Sequence, residues 1–288
     1  MASNFIQSSM LRMVGLSLFR LRARARGIGS KGPRVYINSL PKSGTHLLTA
    51  ELAKLGQLTN SYLHVKTKSV GQNDVNGEFR IDCFNIERII KRVPCSQFFS
   101  GHLPYDPELV AIMRKHNVVV INLIRDPRDM LLSMAYYIAH LKRHPLHREM
   151  RDCCPDLSSQ VAFLLNGKDR GSKCGALGLD RYFPPYATVL ERFAGWQRDQ
   201  TIYTVRFEDL VGERGGGNNA AKRRILWEVS QHIGLDGHVG EIEVARGELK
   251  TPTFRKGIIG DWKESFESNT VELCDEQLGP HLKRMGYA

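Results

Sequence analysis

Val118–Ile124 reads VVVINLI, an uncharged run with five β-branched residues, and Arg125 follows it directly. A run of that length and kind fits a strand covered on both faces. A strand covered twice needs packed layers above and below it, which restricts the chain to a sheet held between helices. Arg34–Leu40, Gln97–Gly101 and Thr201–Phe207 also read as strands. Helices are expected from His46 to about Gly56, from Asp129 to about His140, and over Arg223–Gly234. This alternation predicts an α/β domain, a three-layer sandwich around a central, mostly parallel sheet. In such sheets ligands bind beyond the carboxyl ends of the strands, so chemistry is sought just after Leu40, Ile124 and Val205.

The chain has 288 residues, long enough for one large domain with a full core. Its net charge of +11 is concentrated at one end. Residues 1–50 hold eight basic residues and no acidic one, and beyond them the excess falls to three. The charge is therefore a property of the N-terminus, and no nucleic-acid partner is expected. Residues 1–32 form a basic amphipathic segment in which Ile6, Met10, Met13, Val14, Leu18 and Leu21 recur at three-to-four spacing. A helix lying on an anionic membrane surface, an organellar presequence and a leading helix packed on the domain all fit that pattern. Met10–Phe19 is too short to span a bilayer, and its charges follow the apolar stretch instead of preceding it as in a secretory signal. Six cysteines without a paired metal spacing suit free thiols in a reducing compartment. The expected location is cytoplasmic, with peripheral membrane contact through residues 1–30.

Three segments carry chemistry. Pro41-Lys42-Ser43-Gly44-Thr45 lies between a strand and a helix, where a tight turn aims backbone N–H groups and a helix N-terminus at one point, as a phosphate requires. It lacks the GxxxxGK[ST] pattern of a Walker loop. Arg125-Asp126-Pro127-Arg128-Asp129 leaves the best strand and starts a helix, with Ser133 two turns in; Arg125 offers a planar fork for a second phosphate, and a simple pairing with Asp129 is the alternative. Phe254–Lys263 reads FRKGIIGDWK, two cations followed by two glycines three apart, a loop able to close on an anion, with Trp262 as its anchor.

In this order and spacing the three segments resemble the sulfotransferases that use 3′-phosphoadenosine 5′-phosphosulfate (PAPS), over roughly residues 33–266. The resemblance implies the P-loop-NTPase-like sulfotransferase fold over 33–288 and a PAPS-dependent enzyme acting on a hydroxyl-bearing acceptor, with no metal. It implies that Lys42, Ser43, Gly44, Thr45 and His46 hold the 5′-phosphate end, Lys42 also stabilising the leaving oxygen. Arg125 and Ser133, joined by Arg255, Lys256 and Gly257, would bind the 3′-phosphate. Phe207 stands where the family usually has Tyr near adenine. His102, in Gly101-His102-Leu103-Pro104, matches the catalytic base, and Ala194-Gly195-Trp196 resembles a helical segment beside the acceptor pocket. The chemistry agrees: sulfuryl transfer resembles phosphoryl transfer, in which positioning and charge stabilisation dominate, and a histidine is suited to take the hydroxyl proton.

The pattern also departs from the family. His46-Leu47 replaces a Thr-Trp pair, and Ser100 stands where many members carry a second lysine. The family's dimer segment is not reproduced, so no oligomeric state is expected. Residues 142–185 lack clear periodicity and are expected to form an acceptor lid. His140, His144 and His147 are weighed against zinc by the intervening Pro145. Gly215-Gly216-Gly217 reads as a flexible loop, and Lys222-Arg223-Arg224 as a solvated helix start. A P-loop kinase or NTPase and a non-catalytic PAP-binding, membrane-associated module are the competing classes.

Overall fold

The computed structural model describes residues 31–73, 79–168, 183–235 and 255–288. Its frame is a five-stranded sheet in which every pairing is parallel. The strands are β1 (Arg34–Ser39), β2 (Thr59–Val65), β5 (Gln97–Gly101), β6 (Val118–Ile124) and β7 (Tyr203–Arg206), ordered β2-β5-β1-β6-β7. A small antiparallel pair, β3 (Gly71–Asn73) and β4 (Phe79–Ile81), stands apart.

Alternation along the strands divides the core. Val35 and Ile37 of β1, Phe98 of β5, Ile121 and Leu123 of β6 and Val205 of β7 face α1 (Thr45–Lys54) and α9 (Asn219–His232). Tyr36, Phe99, Val118 and Val120 face the other way, against α2 (Cys83–Ile90), α3 (Pro107–Lys115) and Trp196 of α7 (Tyr186–Arg198). This is the three-layer arrangement that the continuous apolar strands call for. A third cluster joins α4 (Pro127–His140), α5 (His147–Cys153), α6 (Leu157–Asn166), α7, the short α10 (Trp262–Ser265) and α11 (Ser268–Met285).

Four expectations are corrected here. The 142–185 stretch is, in its described part, α5 and α6, and Leu146, Met150, Val161, Leu164 and Leu165 are buried in the third cluster. Their three-to-four spacing makes an apolar face, so this part has the helical periodicity not expected of it and packs on the domain; residues 169–182 lie outside the described residues. Lys222 is buried and pairs with Glu51 at 3.0 Å, so the helix start is solvated only at Arg223 and Arg224. Gly215 is buried and its carbonyl accepts from Ile259 N–H at 2.9 Å, so the first glycine of the run is a packing contact, while Gly216 stays exposed. Cys153 is disulfide-bonded, whereas Cys83, Cys95, Cys154 and Cys274 are free thiols. The amphipathic segment at residues 1–30 lies outside the described residues, and among those described no helix is long and apolar enough to cross a membrane.

Candidate active site

β1 ends at Ser39 in the middle of the sheet, and the chain turns at once into α1. Two left-handed residues make that turn, Lys42 with φ 73° and Gly44 with φ 103°. Gly44 is needed for a second reason, since a Cβ there would sit 2.6 Å from Cδ2 of Phe207. Its carbonyl accepts from Leu47 and Leu48 N–H and opens the helix. The Thr45 hydroxyl is 2.6 Å from that of Ser39. Ser43 points inward: its hydroxyl donates to the Leu40 carbonyl at 2.8 Å and lies 2.9 Å from Sδ of Met130. The Lys42 ammonium lies 4.6 Å from the centre of the Tyr137 ring. Burial first, then Arg125 and Arg255, lower its pKa to about 8.

Arg125 ties three elements together at the end of β6. Its guanidinium donates to the Ile258 carbonyl at 2.8 Å and to the Lys42 carbonyl at 3.4 Å, lies 3.5 Å from the Asp129 carboxylate and stacks 4.2 Å from the centre of Phe207. Asp129 is fully buried in the first turn of α4 and accepts from Gly260 N–H at 2.8 Å and Trp262 N–H at 3.1 Å. It is the clasp that fastens the 255–262 strap. Burial raises its pKa against the pull of Arg125. Within the strap, Arg255 and Lys256 both fold onto Asp261, Lys256 at 3.1 Å. Burial works to raise the Asp261 pKa, but the hydrogen bonds from Lys256 and Arg255 outweigh it and hold the carboxyl below its ordinary range. Arg255 also lies over Tyr136. Ser133, Tyr136 and Tyr137 are three and four residues apart and so share one face of α4.

Two atoms of this cluster stand out. Nε of Arg125 and Nε of Arg255 are buried with no hydrogen-bond partner. A buried cationic donor without an acceptor is costly, and an anion such as a phosphate satisfies it.

His102 follows β5. Asn38 holds its neighbour Leu103 with a reciprocal pair, accepting from Leu103 N–H at 3.0 Å and donating to Leu103 C=O at 3.2 Å; Trp196 donates to the same carbonyl at 2.8 Å. Gly195 lets Tyr105 pack flush, because a Cβ there would meet the Tyr105 ring at 2.1 Å. The Gly195-Trp196 pair thus braces the His102 loop. His102 Nδ1 lies 2.7 Å from the Ser39 carbonyl, so this nitrogen carries the proton and Nε2 presents its lone pair. Burial, then His64 and His46, push its pKa down to about 4, partly offset by the Ser39 carbonyl. Burial and Lys42 lower His46 as well.

The structure therefore brings Lys42, Gly44, Arg125, Phe207 and Arg255 into one contiguous cluster. His102 is connected to it through Ser39 and Thr45. Gly257, with φ 66°, puts its carbonyl against Gly215. Sequence reasoning missed Asn38, His64 and Asp261, and gave Asp129 only as a partner for Arg125. Asn38 and Asp261 lie beside or within a motif and His64 does not, but the place of each depends on contacts across the fold. His140 and His147 are 2.8 Å and 2.9 Å from backbone carbonyls, and among the described residues no His, Cys, Asp and Glu group could hold a metal.

Comparison with known proteins gives the family and the fold. The sulfotransferase domain family model matches residues 32–215. The chain belongs to the sulfotransferase family. The uronyl 2-sulfotransferase homolog pip of Drosophila melanogaster is 32% identical over 108 residues, which are 36% of this chain and 20% of that relative. The chain thus aligns with about a fifth of that relative's length. Mouse sulfotransferase SULT7A1 complexed with PAP superposes with a TM-score of 0.54 at 16% identity, covering 90% of each chain. Retinol dehydratase in a complex with retinol and PAP superposes at 0.50 and 16% identity, covering 87% of this chain and 81% of that one. At those identities the likeness establishes the fold.

Proposed function

We propose that the protein transfers the sulfuryl group of PAPS directly to an acceptor hydroxyl. The observation that carries this reading is the pair of partnerless buried guanidinium nitrogens at Arg125 and Arg255, set beside the Lys42–Thr45 turn and connected through Ser39 to a neutral His102. Arg125, Ser133, Arg255, Lys256 and Gly257 take the 3′-phosphate, the Lys42–His46 turn takes the 5′-phosphate, and Phe207 flanks the adenine. The PAP found in both similar structures supports this donor. The acceptor oxygen forms a bond to sulfur as the bond from sulfur to the 5′-phosphate oxygen breaks, with its electron pair staying on that phosphate. The acceptor proton passes to Nε2 of His102, and Lys42 offsets the charge gathering on the leaving oxygen.

A glycan hydroxyl is the favoured acceptor class, supported by the name of the uronyl sulfotransferase relative. A small hydroxylated metabolite is the alternative. The cytoplasmic location inferred from free thiols is weakened by the Cys153 disulfide, which suits an oxidising compartment.

Calorimetric titration with PAP, AMP and Mg-ATP tests the reading. Tight PAP and weak AMP binding are expected, whereas a preference for Mg-ATP would mean a kinase or NTPase. His102→Ala should lower turnover by about 10²–10⁴-fold while PAP affinity holds. An equal loss of PAP affinity would make His102 structural. Because the free-enzyme pKa of His102 is near 4, kcat/KM should rise with pH through about 4 and then level off. An acid limb near the ordinary imidazole value would contradict the burial seen here.

A further inference from the structure

The edge strand β2 is irregular at one place. Thr59 and Asn60 pair with Gln97 and Phe98, but the next partners are His64 with Ser100 and Val65 with Gly101, so extra residues bulge out between Asn60 and His64. Tyr62, at the bulge, has φ 55°, a conformation that a bulky residue adopts only when its surroundings impose it. Bulges of this kind re-aim the side chains that follow them. Here the bulge sets His64 opposite Ser100, with Nδ1 3.1 Å from the Ser100 hydroxyl. It also brings the His64 ring edge-on to His102, with centroids 4.7 Å apart at 69°. The residue is exposed on the edge strand, so core packing does not account for its placement.

We propose that His64 is a second catalytic histidine, whose Nε2–H donates to an oxygen of the sulfuryl group during transfer. This rests on the sulfuryl-transfer reading above. Sulfur must lie within bonding reach of the acceptor oxygen that His102 deprotonates, so a ring packed against His102 flanks the sulfuryl oxygens. The proposal requires the tautomer in which the Ser100 hydroxyl donates to Nδ1 and the proton of neutral His64 resides on Nε2. His64 keeps that proton: the acceptor proton goes to His102, and the electron pair of the broken bond goes to the 5′-phosphate. Burial, then His46 and Lys66, lower the pKa of His64, which agrees with a neutral donor before the donor substrate arrives.

The test compares PAP with PAPS, which differ by the group His64 is said to touch. In His64→Ala, PAP affinity should be unchanged, PAPS affinity should fall about 10-fold, and PAPS turnover with water as acceptor should fall about 10²-fold. His64→Gln, which keeps an N–H near the same place, should recover part of both losses. Two results would overturn the proposal: an unchanged PAPS-to-PAP affinity ratio in His64→Ala, or a loss shared equally by PAP and PAPS. Failure of Gln to recover anything would also overturn it, because a directed donor would then not be what was lost. If the wild-type protein does not prefer PAP to AMP, the sulfotransferase reading falls first. If wild type binds and turns over PAPS and His64→Ala does so equally well, only the role of His64 falls.

Discussion

In the proposed reading the Pro41–His46 turn and the 255–262 strap each take one phosphate, the turn with backbone and the strap with side-chain charge. In the turn, two left-handed residues and the start of α1 set the donors in place, and Phe207 closes one side of Gly44. In the strap, Arg255 and Lys256 already hold the carboxylate of Asp261, and Asp129 ties the backbone down. An arriving phosphate must draw those cations from an internal anion that competes for them. A preorganised site supplies affinity directly, whereas an internally paired one supplies it only in exchange.

The sharpest way to break this comparison is Asp129→Ala. It removes the acceptor for two strap amides and leaves Arg125 as a buried cation without its carboxylate. Losing one partner of a buried pair destabilises by about 3–5 kcal/mol. Denaturant unfolding should show that loss, with PAP affinity reduced as well. Stability within error of wild type would mean the strap is held elsewhere.

Gly44→Ala comes next and addresses the turn. A side chain at φ 103° costs about 1–3 kcal/mol, before the contact with Phe207 is counted. PAP binding measured by calorimetry should weaken by at least about 10-fold. If Phe207 simply yields, affinity will hold, and the turn is softer than its geometry implies.

The sequence made the frame readable wherever a segment was extreme. Val118–Ile124 and Gln97–Gly101 match β6 and β5 residue for residue, because β-branched and aromatic residues buried on two faces leave no other choice. Thr201–Phe207 overran β7 at both ends: the strand starts at Tyr203, and Phe207 opens α8 (Phe207–Leu210), from where its ring meets Arg125 and Gly44. Lys42, Gly44 and Arg125 were legible as neighbours because they follow the carboxyl ends of central strands, and Arg255 only through its motif. What stayed hidden were the groups acting through contacts distant in sequence. Asp261 within GDW gives no sign that it will neutralise two cations, and His64 gains its place through a bulge that no periodicity announces. Residues 142–168 misled for a different reason: their charged and polar residues masked the short apolar faces of α5 and α6.

Asp261→Asn sharpens the contrast in the opposite direction. Without the carboxylate charge, Arg255 and Lys256 no longer have an internal anion to satisfy. PAP affinity should rise by about two- to tenfold, with a small fall in melting temperature. A fall in affinity would show that Asp261 presents the two cations and does not compete for them, and the strap would then count as preorganised like the turn.

The smallest effect is expected at Ser43, where motif and structure part company. The PKSGT pattern suggests a hydroxyl donor to phosphate, yet this hydroxyl is buried, donates to the Leu40 carbonyl and touches Met130. A hydroxyl has a single proton, and that proton is already committed inside the fold. Ser43→Ala should therefore destabilise the protein by about 1 kcal/mol, through the carbonyl left without its donor, while PAP affinity stays the same. A clear loss of affinity would mean that the hydroxyl turns outward when phosphate arrives. The turn would then share the strap's dependence on exchanging an internal partner for the ligand, and the difference between the two arms would be one of degree.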